Sequence, residues 1–215
     1  MSLIQSIVAA PMVVASREPE GLKAIHRDEC AASIWMREPS AAFQNWIDML
    51  DPQMLPRARI ILQPDAVQDA MTQICQQFGT PDCAEREQLI GDTAALAMIF
   101  ADLMDTSYIR FRLDAVDTNA CRKFHIDALT ARLICTYRGT GTQYGVGDHG
   151  VDPEEFATLP NCCPIVLRGT QWPITATPGL LHRSPPIEGT GETRLVLVLD
   201  PVANPNQDRI DAQIH

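Results

Sequence analysis

The chain has 215 residues, is 46% hydrophobic and carries 27 Asp and Glu against 17 Lys and Arg, a formal charge of -10. That length suffices for one good-sized core, and the acidic balance argues against nucleic-acid partners, which need clustered cations to displace phosphate counterions. No apolar run approaches the roughly 20 residues of a membrane span, and the apolar segment 3–14 has no preceding Lys or Arg and is broken by Pro11, so a cytoplasmic protein without membrane contact is expected.

Residues 1–40 are Pro-interrupted and read as irregular, with one strand within 4–14. Helical period sets in with Phe43, Trp46, Ile47 and Leu50, between the Pro39-Ser40 start signal and the Asp51-Pro52 stop. A second amphipathic helix from about Asp65 places Val67, Met71, Ile74 and Phe78 on one face, with Gly79 where a C-terminal cap belongs. A third carries Leu89, Thr93, Leu96, Phe100 and Leu103.

After Asp105 the period changes to two. Over 107–116, Tyr108, Arg110, Arg112 and Asp114 alternate with Ile109, Phe111 and Leu113, which makes one face charged and the other apolar. Further strands are expected at 123–128, 132–137, 165–171, 174–177 and 194–199, separated by Gly- and Pro-rich turns at 139–147, 178–179 and 185–191. Short strands after a helical lead-in, without regular strand and helix alternation, predict an α+β fold and not a parallel Rossmann-type sheet. The expectation is one domain over 1–215, mainly helical over 1–105, with a sandwich or jelly roll over 106–200 that the helices buttress.

Seven cysteines, an odd count without a C-x-x-C pair, read as reduced and structural. Cys162 and Cys163 are adjacent, a poor geometry for a mutual disulfide, and are assigned to core packing. His149 reads as a turn residue, and His26 and His215 have no ligand-spaced partner.

In Lys123-Phe124-His125-Ile126-Asp127, alternation along a strand puts His125 and Asp127 on one face and Ile126 on the other. His182, ahead of a turn and a strongly apolar strand, is the candidate third member. Two imidazoles and one carboxylate with open positions opposite suit non-haem Fe(II), which needs those positions for substrate and dioxygen; zinc is an alternative occupant of the same donor set. The other reading pairs His125 with Asp127 by a hydrogen bond and leaves His182 capping a loop. Arg194, opening the apolar run that ends at Leu199, could clamp a carboxylate in bidentate fashion or be a solvated strand end. Arg110 and Arg112 share a face and are candidates for an anionic substrate, with a solvated sheet face as the other reading.

His125-Ile126-Asp127, followed by Arg132, Thr136, Tyr137 and the segment 139–144, resembles the first half of an Fe(II)/2-oxoglutarate oxygenase core. The segment 179–186, then Gly191 and Arg194, is similar to that superfamily's distal histidine and the basic residue beyond it, at a spacing slightly longer than usual. The resemblance implies a double-stranded β-helix (jelly roll, cupin-like), Fe(II) on His125, Asp127 and His182, and 2-oxoglutarate held through its distal carboxylate by Arg194. It also adds Tyr137 to Arg110 and Arg112 as a candidate substrate contact. More narrowly, residues 121–127 and 132–139 resemble a bacterial family known as domain of unknown function 1826, a label that supplies no substrate. Two further classes stay open: a non-catalytic metal- or small-ligand-binding module on the same fold, and a metal-free pocket whose helical half serves a protein partner or a homodimer. The substrate, small molecule or protein, is not specified.

Overall fold

The computed structural model of the chain describes residues 12–148, 150–173 and 179–205. The strand expected within 4–14 falls largely outside them; the strand expected at 174–177, Pro178, His149 and His215 lie outside altogether. The elements in order are β1 (Met12–Ser16), a 3-10 helix (Pro19–His26), β2 (Cys30–Trp35), α1 (Ala41–Met49), β3 (Ala58–Leu62), α2 (Val67–Gln77) and α3 (Ala84–Met104). They are followed by β4 (Tyr108–Val116), β5 (Ala131–Arg138), β6 (Gln143–Val146), β7 (Ala157–Thr158), β8 (Ile165–Arg168), β9 (Leu180–Arg183) and β10 (Arg194–Val202).

Local chemistry explains the helix ends. The Ser40 hydroxyl accepts from the Phe43 amide at 3.2 Å and caps α1. Gly79, at φ +66, ends α2 in the left-handed conformation that favours glycine. Asp105 takes the same role after α3 at φ 48.

The fold is α+β. Among the described residues, seven strands form one sheet in the order β1-β2-β8-β5-β10-β4-β3, antiparallel except for the β1/β2 pair, and three form a second sheet, β7-β6-β9. Alternation divides the large sheet between two cores. Ile109, Phe111, Leu113, Leu133, Leu195, Leu197 and Leu199 face a cluster that also holds Phe43, Met71, Leu96 and Phe100 of the three helices. Ile134, Ile165, Leu167 and Val196 face a second cluster completed by Leu180 of β9, with Tyr144 of β6 packed against it. Helices therefore cover one face of the large sheet and the small sheet meets the other. No helix among the described residues is long and apolar enough to cross a membrane.

Several expectations need correction. β1, β2 and β3 bring the N-terminal half into the large sheet, where residues 15–40 read as irregular. β2 escapes period-two reading because its residues are buried on both faces. The strand expected at 123–128 reduces to one antiparallel bridge at His125. The strand expected at 165–171 stops at Arg168, since Gly169, Thr170 and Gln171 turn their amides to the 127–130 segment. β6 and β7 lie where 139–147 was expected to be turn and no strand was expected at 157.

Candidate metal centre

His182, third residue of β9, faces Tyr144 of β6 on one side and His125 on the other. The His125 and His182 backbones exchange two hydrogen bonds of 3.0 Å, the closed antiparallel pair in which facing side chains project on the same side. Their rings accordingly meet at 4.5 Å between centroids. Asp127 lies two residues beyond His125 and brings its carboxylate to both rings, with Oδ1 3.5 Å from His125 Nε2 and Oδ2 3.2 Å from His182 Nε2.

The ligand atoms of the three residues lie within 4.8 Å of one another, and among the described residues this is the one such cluster of His, Cys, Asp and Glu. Bonds of about 2.1 Å to an octahedral ion put neighbouring ligands roughly 3 Å apart, so small side-chain rotations close the set. Two further features fit a cation. Asp127 Oδ2 is buried and no hydrogen bond reaches it, the condition of a carboxylate oxygen that lacks its partner. His125 Nδ1 lies 2.8 Å from the Lys123 carbonyl; a carbonyl only accepts, so Nδ1 carries the proton and Nε2 presents its lone pair.

The electrostatics agree. Burial pushes the Asp127 carboxyl up, but the two imidazoles and the Arg132 guanidinium outweigh it and hold the group well below the usual carboxylate range. Burial lowers His182 and favours its neutral, metal-binding form, whereas Asp127 raises His125 and favours its protonated form, so an ion bound there would displace a proton.

Behind Asp127 stands a chain of ion pairs. Arg132 donates to Asp127 Oδ1 at 2.5 Å and, in bidentate fashion, to Asp200 at 2.6 and 2.9 Å. Arg112 donates to the same Asp200 at 3.2 Å, and Arg110 faces Asp200 across the β4/β10 ladder. Arg132 thus occupies one carboxylate oxygen of Asp127 and leaves the other for a ligand. Sequence reasoning assigned no role to Arg132 or Asp200. The available signal was a carboxylate closing an apolar, buried strand, which requires a cationic partner.

The other expected residues divide. Arg194 is 1% exposed and shares its face of β10 with Val196 and Asp200 by alternation. Among the described residues its guanidinium bonds the Thr140 carbonyl at 2.6 Å and the Thr136 hydroxyl at 3.4 Å, both uncharged. Burial lowers its pKa to about 10, with Glu192 opposing. Tyr137 is not brought to the site: it points to the helical side of β5 and donates to Asp92 at 2.7 Å, where Arg37 also binds. His26 bonds the Leu103 carbonyl at 3.0 Å, away from the triad. All seven cysteines are free, and Cys162 and Cys163 are buried.

Gly169 sets the turn after Asp127. Its amide and those of Thr170 and Gln171 reach the carbonyls of Thr130, Asp127 and Leu129 at 2.8, 2.9 and 3.1 Å, and a Cβ at Gly169 would stand 1.9 Å from the Leu129 carbonyl oxygen and 2.7 Å from that of Asp127. Both obstacles are backbone. Gly169→Ala is therefore expected to cost about 2 kcal/mol of stability, read by urea denaturation, and a variant as stable as the parent would mean that the turn is not held in this form.

A family model described as "Protein of unknown function (DUF1826)" matches residues 16–200. No curated protein matches the sequence. Among solved structures, dioxygenase for auxin oxidation 1 from Arabidopsis thaliana, in a binary complex with 2-oxoglutarate, is 12% identical with a TM-score of 0.53, over 91% of this chain and 93% of that one. The dioxygenase for auxin oxidation from rice gives 14% and 0.48 over 92% and 84%. An oxidoreductase of the 2OG-Fe(II) oxygenase family from Burkholderia pseudomallei gives 14% and 0.43 over 90% and 99%. At such identities the first likeness speaks to the fold alone.

Proposed function

The chain belongs to the DUF1826 family, and we propose that it is an oxygenase dependent on Fe(II) and 2-oxoglutarate, built on a double-stranded β-helix and hydroxylating a substrate at the mouth of that barrel. The observation that carries this reading is the meeting of His125, Asp127 and His182 on one face, with a buried carboxylate oxygen left without a hydrogen bond. The fold likeness to a dioxygenase whose structure holds 2-oxoglutarate supports it.

His125, Asp127 and His182 would hold the iron. Iron held there, with 2-oxoglutarate and dioxygen, would supply an oxidation that releases succinate and carbon dioxide and adds one oxygen atom to the substrate. The chain's own residues provide the geometry. The Lys123 carbonyl fixes the His125 tautomer, and Arg132 holds Asp127 as a one-oxygen ligand. Arg194 would take the distal carboxylate of 2-oxoglutarate, since a buried guanidinium whose hydrogen-bond partners among the described residues are neutral gains from an anion. Arg112 is assigned to the Asp200 network.

Anaerobic titration of the purified chain is expected to show one Fe(II) per chain and a further absorbance change when 2-oxoglutarate is added. Arg194→Gln should keep the metal and weaken 2-oxoglutarate about 100-fold, the loss of roughly 3 kcal/mol of charge-assisted hydrogen bonding. Iron that binds without any response to 2-oxoglutarate would remove the co-substrate assignment, and failure to bind iron would remove the reading as a whole.

A further inference from the structure

A cavity of 720 Å³ opens beside the candidate metal centre, walled by β6, β7 and the loop between them. Its inner wall belongs to the same surface as His182. Tyr144 is the direct partner of His182 in the β6/β9 register, which puts their backbones roughly 5 Å apart with side chains on one face. Leu180, two residues before His182, shares that face at about 7 Å. Both line the cavity.

The outer wall has a distinct composition. Asp148, Asp152, Glu154 and Glu155 line it, and none of the described residues lining it is Lys or Arg. Arg183 stacks over the Phe156 ring at 5.0 Å but does not line the cavity. Val146, Val151 and Phe156 are 52%, 62% and 48% exposed and line the same space, so three of the six large exposed hydrophobic residues among those described gather here. Such a concentration of apolar surface within a rim of one charge marks a binding face and not a solvated loop.

The wall is also fixed in place. A Cβ at Gly145, on the face of β6 opposite Tyr144, would meet the Glu155 carbonyl oxygen at 2.5 Å and the Pro153 ring at 2.8 Å, so the 153–155 segment packs directly on the outer face of β6, and the groove opens around the Val146 end of that strand. Gly147 donates to the Gly179 carbonyl at 2.9 Å and ties the start of the loop to the segment leading into β9.

We propose that this cavity is the docking groove for the substrate, and that the substrate is a basic, amphipathic peptide segment of another protein. Lys or Arg side chains would meet the four carboxylates, apolar side chains would cover Val146, Val151 and Phe156, and the segment would run over Tyr144 and Leu180 towards His182. The groove lies on a chain of net charge -10, so the field of the whole protein also favours encounter with a basic partner. The claim that bound peptide is oxidised rests on the oxygenase reading; the claim that it binds does not.

The test is fluorescence polarisation with the full chain, free of metal, and two labelled peptides. One is composed of lysine, leucine and glycine; the other has glutamate in place of lysine. The lysine peptide is expected to bind, with affinity falling as salt rises, and the glutamate peptide is not. Asp152→Lys combined with Glu154→Lys, both at exposed positions, should weaken the lysine peptide by about tenfold or more, and Val151→Ser should weaken it with no change in salt dependence. An unchanged melting temperature certifies that the variants are folded. Equal binding of both peptides, or an unaffected double variant, would overturn the proposal. So would a concentration-dependent dimer that the double variant abolishes, since the occupant would then be a second copy of this chain. Peptide binding in a chain that takes no iron would leave the groove standing and remove the oxygenase reading alone.

Discussion

His182→Ala is expected to lose metal binding by about 10³-fold or more while remaining folded. Outer partners of metal ligands are worth roughly 10–100-fold in affinity, and removing a ligand itself from a set of three leaves a two-coordinate remnant. The substitution spares the fold because what ties β9 to His125 is backbone: the two 3.0 Å hydrogen bonds at this position survive any side chain. A metal that binds only the native state raises stability with its concentration, by about 2.7 kcal/mol at a hundred times the dissociation constant. Thermal unfolding with and without Fe(II), or Co(II) as a stable substitute, thus reads binding and folding together. The parent should show the rise and His182→Ala should not, with the two melting alike when metal-free to within the loss from a single buried ring. Asp127→Asn should likewise lose the metal-dependent rise, because an amide oxygen carries no charge to hold the ion, and should also melt lower when metal-free, because Arg132 loses one of its two carboxylates. A rise retained in His182→Ala would place the ion elsewhere.

The sequence carried the helices and the outline of the site for different reasons. Phe43, Ile47, Val67 and Met71 recur at helical period because α1 and α2 each bury one face in the core on the helical side of the large sheet, α1 against β5 and α2 against α3, and that pattern is local. β4 was equally legible, with Ile109, Phe111 and Leu113 buried and the intervening residues half-buried. β2 was not: Cys30-Ala31-Ala32-Ser33-Ile34 is buried throughout and shows no alternation to detect. β6 was hidden by Gly145 and its neighbouring glycines, which read as turn but serve the close approach of Pro153 and Glu155.

At the site, His125 and Asp127 were joined by alternation alone, although only His125 makes a sheet contact there. His182 is 55 residues beyond Asp127, and no local rule predicts that β9 returns to it; its place ahead of a turn and an apolar strand made it a candidate, and the resemblance to oxygenases pointed to the same residue. Tyr137 shows the opposite failure. It stands in the motif that carried the resemblance, yet on β5 it alternates with Thr136 and so faces the helices, where Asp92 and Arg37 receive it. Membership in a recognisable motif located the strand and not the direction of each side chain.

Asp200→Asn is expected to be among the costliest single changes in this chain. The Asp200 side chain is 3% exposed and is held by two guanidiniums, Arg132 through two hydrogen bonds and Arg112 through one. Burial already works against the Arg112 cation, whose pKa it lowers, and Asp200 is the strongest charge opposing that shift. Asparagine keeps the shape but not the charge, so two cations would face each other in a largely buried space with Asp127 and Asp114 left to oppose them. Breaking a buried pair in this way costs about 3–5 kcal/mol. Arg132, no longer clamped, would also orient Asp127 less firmly, and metal affinity should fall roughly 10–100-fold. Charge imbalance and lost shape make opposite predictions for a second substitution. If charge is the cause, adding Arg112→Leu to Asp200→Asn removes one stranded cation and should restore part of the stability, so that the double variant is less destabilised than the two single changes summed. Urea denaturation of the four proteins measures that coupling. Simple addition of the two losses, or an Asp200→Asn variant within about 1 kcal/mol of the parent, would mean that the Asp127-Arg132-Asp200-Arg112 chain is not what holds the metal centre in place.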